Sequence, residues 1–478
     1  MKEVQMATPA LAPENQDAPF SDETLGALRD RVRGAVLTDG EDGYDTARSV
    51  WNGMIDRRPA VIVRCAGAAD VRAAVDFARD AGTVLSVRGG GHNIAGSAVC
   101  DGGVMIDLTP MKSVRVDPFA GTARVEPGVT LGEFDREAQA FGLVTPTGIN
   151  STTGVAGLAL GGGFGWTSRK FGLTADNLLS ADVVTADGQL VRASESENPD
   201  LFWAIRGGGG NFGVVTSFEF RAHPLGPEVM SGLIVHPLAD AREALKHYRE
   251  VMAEAPDELA CWFVMRSAPP LPFLPEAVHG TGILAFAACY AGPMDAADRA
   301  MGPLRAIGTP IADVIGPHPF AGWQTVMDPL LEPGARNYWK SHSFGALSDG
   351  LIEVMLEHAN KPPSPECELA MCQVGGAINR VPAEATAYPH RDVAYVLNIH
   401  TRWRDPADDA ACVAWARTLF DACKPFATGA VYVNFMPEEE ADRVPSAYLG
   451  NAERLTTIKA KYDPHNLFRV NQNIRPTP

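Results

Sequence analysis

At 478 residues, 46% hydrophobic and 21% charged, the chain has the composition of a folded globular protein and the length of two domains. Its formal charge of -17 is spread without a long acidic run, and no Lys/Arg-rich stretch offers a footprint for a phosphate backbone, which excludes a nucleic-acid partner. No apolar run approaches the roughly 20 residues that a membrane-spanning helix requires, so no membrane partner is expected.

Residues 1–20 are polar and Pro/Ala-rich, lack the apolar centre of a signal peptide, and read as a mobile tail on a cytoplasmic protein. Ser21-Asp-Glu-Thr24 starts the first helix, with acidic side chains at its positive end. From Ala60 the pattern alternates. Val61–Val63, a helical stretch over 69–81 with Val71, Ala74, Val75 and Ala78 on one face, and Val84–Val87 together predict a β-α-β unit. Further strands are expected over 104–108, 114–116 and 123–126. Thr130-x-x-Glu133 is a capping box for a helix that buries Leu131, Phe134 and Ala138 and ends at Gly142.

A period-two strand over 214–220 leads into His223-Pro-Leu-Gly-Pro227, a linker by composition. Beyond it, strand-like runs over 230–235, 261–265, 283–290, 369–375 and 393–399 alternate with helical stretches over 239–255, 295–307 and 408–423. That arrangement predicts an α+β fold, with an antiparallel sheet and helices on one side of it. The chain carries no internal repeat. Its eight cysteines include no C-x-x-C pair and several lie in apolar runs, so buried free thiols are expected rather than disulfides or a metal site.

Three glycine clusters interrupt this pattern. Arg88-Gly-Gly-Gly-His-Asn93 follows a predicted strand directly, with Gly96 and Ser97 just beyond. Residues without a Cβ let backbone amides approach a pyrophosphate and form an anion-binding nest, although a tight inter-strand turn with an exposed His92 fits this segment equally well. The second cluster, Gly148 to Gly165, has seven glycines in 18 residues, which packing alone does not explain. The third, Arg206 to Gly213, contains a formal G-x-G-x-x-G, but it follows a helix and opens a strand, the reverse of a dinucleotide-binding turn.

Val87–Asn93, Gly148–Gly165, Asn211–Thr216 and Tyr462–Asn473, in this order, resemble the berberine-bridge-enzyme-like oxidases of the vanillyl-alcohol-oxidase flavoprotein superfamily, over roughly residues 55–475. The resemblance implies a two-domain fold: a discontinuous FAD-binding domain over 21–225 and 440–478, and a substrate-binding domain over 226–439. It implies that His92 is joined to the flavin 8α-methyl carbon and that Arg88, Gly89, Gly90, Gly91, Asn93, Gly96 and Ser97 cradle the pyrophosphate. Gly148, Asn150, Thr153, Gly154 and Gly157 would lie along the isoalloxazine, Gly213 and Val215 near the adenine end, and Asn471 and Asn473 in hydrogen-bonding reach of the ring.

The chain departs from better-known members at Asn150, in Gly148-Ile-Asn-Ser151, where many carry a cysteine that forms a second flavin bond. Asparagine has no nucleophilic sulfur, so FAD is expected to be covalent through His92 only, as in the 6-hydroxy-D-nicotine oxidase branch. Cys100 is out of register for that second bond. Thr153 matches the gatekeeper beside the oxygen-reactive flavin carbon, and its small side chain implies that O2 is admitted.

Hydride transfer from an alcohol needs a base for the hydroxyl proton. In relatives this group projects from the strand matching Tyr395–Trp403, where period-two geometry puts Asn398 and His400 on one face. Asn398 stands where relatives hold glutamate or glutamine and cannot act as a base; His400 is the alternative base, or a structural residue at the sheet's rim. Gln373 is expected to face the same cavity. Lys340, in Tyr338-Trp-Lys-Ser341, reads as an anchor over the flavin or as a solvated lysine, and Tyr432 and Phe435 as ring-side or core aromatics on a strand. The activity implied is an FAD-dependent oxidase that takes hydride from an alcohol or amine carbon of a small-molecule substrate and passes electrons to O2, giving H2O2. A dehydrogenase or oxidative cyclase with poor O2 use, and a flavin-loaded binding protein, stay open as alternatives, as does the oligomeric state.

Overall fold

The computed structural model describes residues 20–477; the tail expected over 1–20 lies outside them apart from Phe20. Helix Asp22–Arg31 begins as its sequence requires, with the Ser21 hydroxyl accepting the Thr24 amide. Strands β1 (Ala35–Leu37), β2 (Val61–Arg64), β3 (Leu85–Arg88) and β4 (Val104–Asp107) form a sheet in the order β1-β2-β4-β3. The β-α-β unit is present, with helix Ala68–Asp80 as its crossover. It is split, because β4 inserts between β2 and β3 and pairs in parallel with both. Hydrophobic periodicity marks the elements but carries no information on which strand fills the gap between two others.

The following strands are β5 (Val114–Asp117), β6 (Thr122–Val125), β7 (Leu143–Val144), β8 (Leu178–Val184), β9 (Leu190–Ser194), β10 (Val214–Arg221) and β11 (His223–Pro224). All but β7 and β11, which pair with each other, join an antiparallel sheet in the order β5-β6-β10-β8-β9. The Thr130–Glu133 capping box is formed, and helix Leu131–Gln139 buries Leu131, Phe134 and Ala138 against β6 and β10.

The largest sheet contains β12 (Glu228–Pro237), β13 (Leu259–Ser267), β14 (Gly282–Tyr290), β15 (Ala312–Asp313), β16 (Gly316–Pro319), β17 (Arg336–Phe344), β18 (Glu368–Gln373) and β19 (Tyr395–Trp403). Its order is β15-β12-β14-β13-β18-β19-β17, all antiparallel, with β16 also on β12. One face buries Leu369, Met371, Leu397 and Ile399 beneath helices Ala241–Ala253, Asp349–Ala359 and Asp409–Cys423. The opposite face turns toward the glycine clusters. Strand β17 is mostly buried although six of its nine residues are polar, so it escapes a search for apolar runs. Val431–Phe435 is not a strand: Val433–Phe435 forms a single 3-10 turn, so Tyr432 and Phe435 stand on a loop.

Helix Ala452–Tyr462 returns the chain to the third glycine cluster. The Lys459 ammonium bonds Asp463 at 2.6 Å, the Asn211 carbonyl at 2.7 Å and the Phe468 carbonyl at 2.9 Å, all out of water. Asp463 accepts the Leu467 and Phe468 amides, and Asn211 accepts the Ile474 amide and donates to the Gln472 carbonyl. Each buried charge therefore has oxygens or amides to replace water. All eight cysteines are free and buried, and no helix among the described residues is long and apolar enough to cross a membrane.

Candidate functional site

A cavity of about 340 Å³ runs between the glycine clusters and the open face of the large sheet. Gly89, Gly90, Gly91, His92, Asn93 and Ser97 line one stretch of it. Among the described residues, the five amides from Gly89 to Asn93 donate to no acceptor, and Gly91 has φ +73. A run of free N–H groups in a glycine turn is an anion-binding surface. The second cluster packs on the first backbone to backbone: a Cβ on Gly154 would lie 2.4 Å from the Gly90 nitrogen, and one on Gly90 would lie 2.3 Å from the Gly154 nitrogen. Neither position admits a side chain. Gly148, Asn150, Thr153, Gly154 and Gly157 line the adjoining wall, and Gly213, Val215 and Asn471 line the far end. The Asn471 amide nitrogen bonds the Gly210 and Phe468 carbonyls, leaving its Oδ1 without a partner in a buried position, as is the Tyr448 hydroxyl. An elongated cavity with free amides, no room for side chains at its neck and unpaired polar atoms on its wall fits a dinucleotide cofactor such as FAD.

Three residues expected on this wall are not there. Arg88 is on the last position of β3, and its guanidinium folds back to the Ala47 carbonyl. Gly96 (φ +73) packs on Ile55 and shapes the loop from behind. Asn473 sits beyond the stretch of the tail that reaches the cavity, which ends at Gln472.

His92 stacks on Trp51, with ring centroids 5.1 Å apart and planes at 21°. Its Nε2 lies 2.9 Å from the Thr152 hydroxyl, and its Nδ1 3.5 Å from the Thr153 hydroxyl. The proton positions follow from Asn150. The Thr152 backbone N–H points at the Asn150 side chain at 3.0 Å, so the atom facing it is the oxygen; the Thr152 hydroxyl must then donate to that same oxygen, at 2.8 Å. Its lone pairs are left to face His92, which makes Nε2 the protonated nitrogen and Nδ1 the free one. Burial lowers the His92 pKa to about 3, so the ring is neutral.

Across the cavity, the register of the large sheet sets what is presented. Trp339 on β17 and Glu368 on β18 lie opposite His400, and Ala370 lies opposite Asn398, so these side chains share the cavity face with Cys372 and Trp262. Lys340 and Gln373 have the other parity and point to the helices. Lys340 bonds Glu440 at 2.5 Å over the Phe420 ring, and Gln373 donates to the Met252 carbonyl at 3.4 Å. Neither touches the cavity. His400 does, but both its nitrogens are taken: Nδ1 lies 3.2 Å from the Glu368 carboxylate and Nε2 3.0 Å from the Asn337 side-chain oxygen. Burial alone would raise the Glu368 carboxyl, yet Arg266, at 2.6 Å, and His400 outweigh it and hold its pKa at about 2. The Tyr432 oxygen accepts the Gly163 amide and the Asn434 side chain, and burial pushes its pKa up, so it stays a phenol. Asn398 lines the cavity with its Oδ1 unpartnered.

Residues 59–194 match the family model described as FAD binding domain, and residues 431–475 the one described as berberine and berberine like. The chain is 31% identical to (R)-6-hydroxynicotine oxidase of Paenarthrobacter nicotinovorans, over 93% of this chain and 97% of that protein. This chain belongs to the berberine-bridge-enzyme-like FAD-linked oxidoreductases. Xylooligosaccharide oxidase of Thermothelomyces thermophilus, 29% identical over 91% of this chain and 90% of its own, is a more distant relative. Among solved structures, 6-hydroxy-D-nicotine oxidase from Arthrobacter nicotinovorans superposes with a TM-score of 0.84 at 30% identity, covering 93% of this chain and 98% of that one.

This member of the berberine-bridge-enzyme-like family is therefore an FAD-linked oxidoreductase with the two-part fold of that family. Its site also uses residues that the sequence does not advertise. Trp51 stacks on His92 and Thr152 bonds it, yet an isolated tryptophan in a loop and one threonine in Ser151-Thr-Thr153 have no pattern to single them out. Glu368 and Asn337 are found only through the pairing of β17, β18 and β19.

Proposed function

We propose that this protein is an FAD-dependent oxidase acting on an alcohol or amine carbon of a small organic substrate, with FAD covalent through His92 alone. The observation that carries the covalent reading is the Asn150–Thr152–His92 hydrogen-bond chain. It holds a neutral imidazole with a free Nδ1 at the cavity wall, and it puts an amide where a second, cysteinyl bond would otherwise form. Bound FAD would supply a two-electron acceptor that takes hydrogen from a substrate carbon and is reoxidised by O2 to give H2O2. The free amides of Gly89–Asn93 would hold the pyrophosphate, the close Gly90–Gly154 contact would form the neck, and Asn471 would offer its free oxygen to the cofactor. Trp339, Phe435 and Asn398 would cover the substrate from the sheet side. The domains follow from this: 21–225 with 440–478 for FAD, and 226–439 for substrate.

Two measurements test the reading. Acid precipitation should leave flavin on the protein, and mass spectrometry should find it on the His92 peptide and on no cysteine peptide. Dithionite-reduced protein should regain its yellow colour in air with release of peroxide. Flavin that washes out in acid removes the covalent claim, and colour that fails to return removes the oxidase claim.

A further inference from the structure

We propose that Trp262, Trp166 and Trp323 form a relay that carries a one-electron oxidising equivalent from the cofactor cavity to the protein surface. This rests on the FAD reading above, which puts an electron carrier beside Trp262, and adds a path that substrate oxidation does not use. Trp262, on β13, lines the cavity. Behind it stands Trp166, which follows the second glycine cluster; the two ring centroids are 5.0 Å apart. Trp323 lies 5.2 Å beyond Trp166, on the short helix Phe320–Trp323, flanked by the exposed Gly322 and Thr325. Indole is among the most readily oxidised side-chain groups, and electrons hop across gaps this short.

Packing does not account for the three indoles. All are buried, and the Nε1 of each donates to no acceptor among the described residues. Phenylalanine would fill the space without stranding an N–H out of water. A molecule in the cavity would relieve only Trp262, because the other two do not line it. The same isolation suits a relay. An indole that loses an electron becomes a strong acid; with an acceptor at Nε1 it would give up its proton and fix the hole in place. With no acceptor the proton stays, and the hole moves on when the next ring returns an electron.

The other oxidisable rings on the cavity wall lead nowhere. Oxidising a phenol requires release of its proton, and the Tyr432 and Tyr448 hydroxyls find no acceptor among the described residues: Tyr432 accepts the Gly163 amide and the Asn434 side chain, and Tyr448 has no partner. Trp51 meets Trp339, whose further ring neighbours, His400 and Phe435, resist oxidation more than an indole does.

The balance is simple. Blue light makes a bound flavin oxidising enough to draw an electron from Trp262; Trp166 refills Trp262, and Trp323 refills Trp166. A thiol in solution then refills Trp323. After two passes two thiols have joined as one disulfide, and their electrons and protons reside on the cofactor.

The test exposes FAD-loaded protein, free of air, to blue light in the presence of glutathione. Wild-type flavin should bleach, and Trp166→Phe and Trp323→Phe should lose that bleaching while their dithionite-reduced flavin reoxidises in air as the wild type's does. Should Trp166→Phe fail to fold, Trp323→Phe carries the test. A second readout is positional. After illumination in air without glutathione, peptide mass spectrometry should find wild-type Trp323 as N-formylkynurenine, the product of adding O2, and Trp323 unmodified in Trp166→Phe. The relay is overturned if the wild type does not bleach, if either variant bleaches as fast, or if Trp323 is oxidised equally without Trp166. A protein that holds no flavin sinks the underlying FAD reading instead.

Discussion

On the cofactor side of the cavity the wall is backbone: the free amides of Gly89–Asn93, the Gly90–Gly154 contact and the tail bolted down at Lys459–Asp463. On the substrate side it is side chains, offered by alternate residues of β17, β18 and β19. A backbone wall tolerates almost no change, because any added atom meets main chain. A side-chain wall can be rewritten one residue at a time, provided that the parity of each strand is kept. This division matches relatives named for substrates as unlike as a hydroxynicotine and xylooligosaccharides.

The contrast can be broken most forcefully at Gly154. Gly154→Val drives a side chain into the Gly90 backbone, 2.4 Å from its nitrogen, and purified variant should carry no more than about a tenth of the wild-type flavin, by absorbance per protein. Asp463→Ala comes next. It leaves the Lys459 ammonium buried without its carboxylate, and guanidinium unfolding should show a loss of about 3–5 kcal/mol. A smaller effect sharpens the parity argument. Lys340→Met should cost about 2 kcal/mol of stability through Glu440 and leave KM unchanged, whereas Trp339→Ala, on the neighbouring residue, should raise KM with little change in melting temperature.

The smallest effect is one of pH. Asp135 is buried behind the second glycine cluster, its Oδ2 accepting the Gln324 amide at 2.7 Å, and burial outweighs that bond to push its pKa up to about 7. A carboxyl raised in the fold favours the folded state in full below its unfolded value, about 4, and that contribution is lost as pH rises through 7. Asp135→Asn stays neutral throughout. The variant should melt at the wild-type temperature at pH 4 and above it at pH 8.

What the sequence disclosed follows the same division. Glycine clusters are legible because backbone contact demands a particular residue, so Gly89–Asn93 and Gly148–Gly157 stand out in the chain itself. The capping box at Thr130 and the helix face of Val71, Ala74, Val75 and Ala78 are legible for a similar reason, as local chemistry with a local signature. Lys340 and Gln373 were misread because their facing depends on register with strands up to 60 residues away. The sequence leaves His400 open between a base and a structural residue because its partners, Glu368 and Asn337, reach it only through β18 and β17. The insertion of β4 between β2 and β3 is likewise a tertiary fact with no local mark.

The bolt between Asn211 and the tail has a consequence for how the protein is made. Residues 459–474 leave the ribosome about 250 residues after Asn211, with the whole large sheet synthesised in between. The sheet can fold while the cofactor wall still lacks its last piece, so the nascent chain holds an unfinished groove rather than a site. A chain cut short between Cys423 and Lys459 should therefore keep every strand and covering helix of the large sheet and have no hold on FAD.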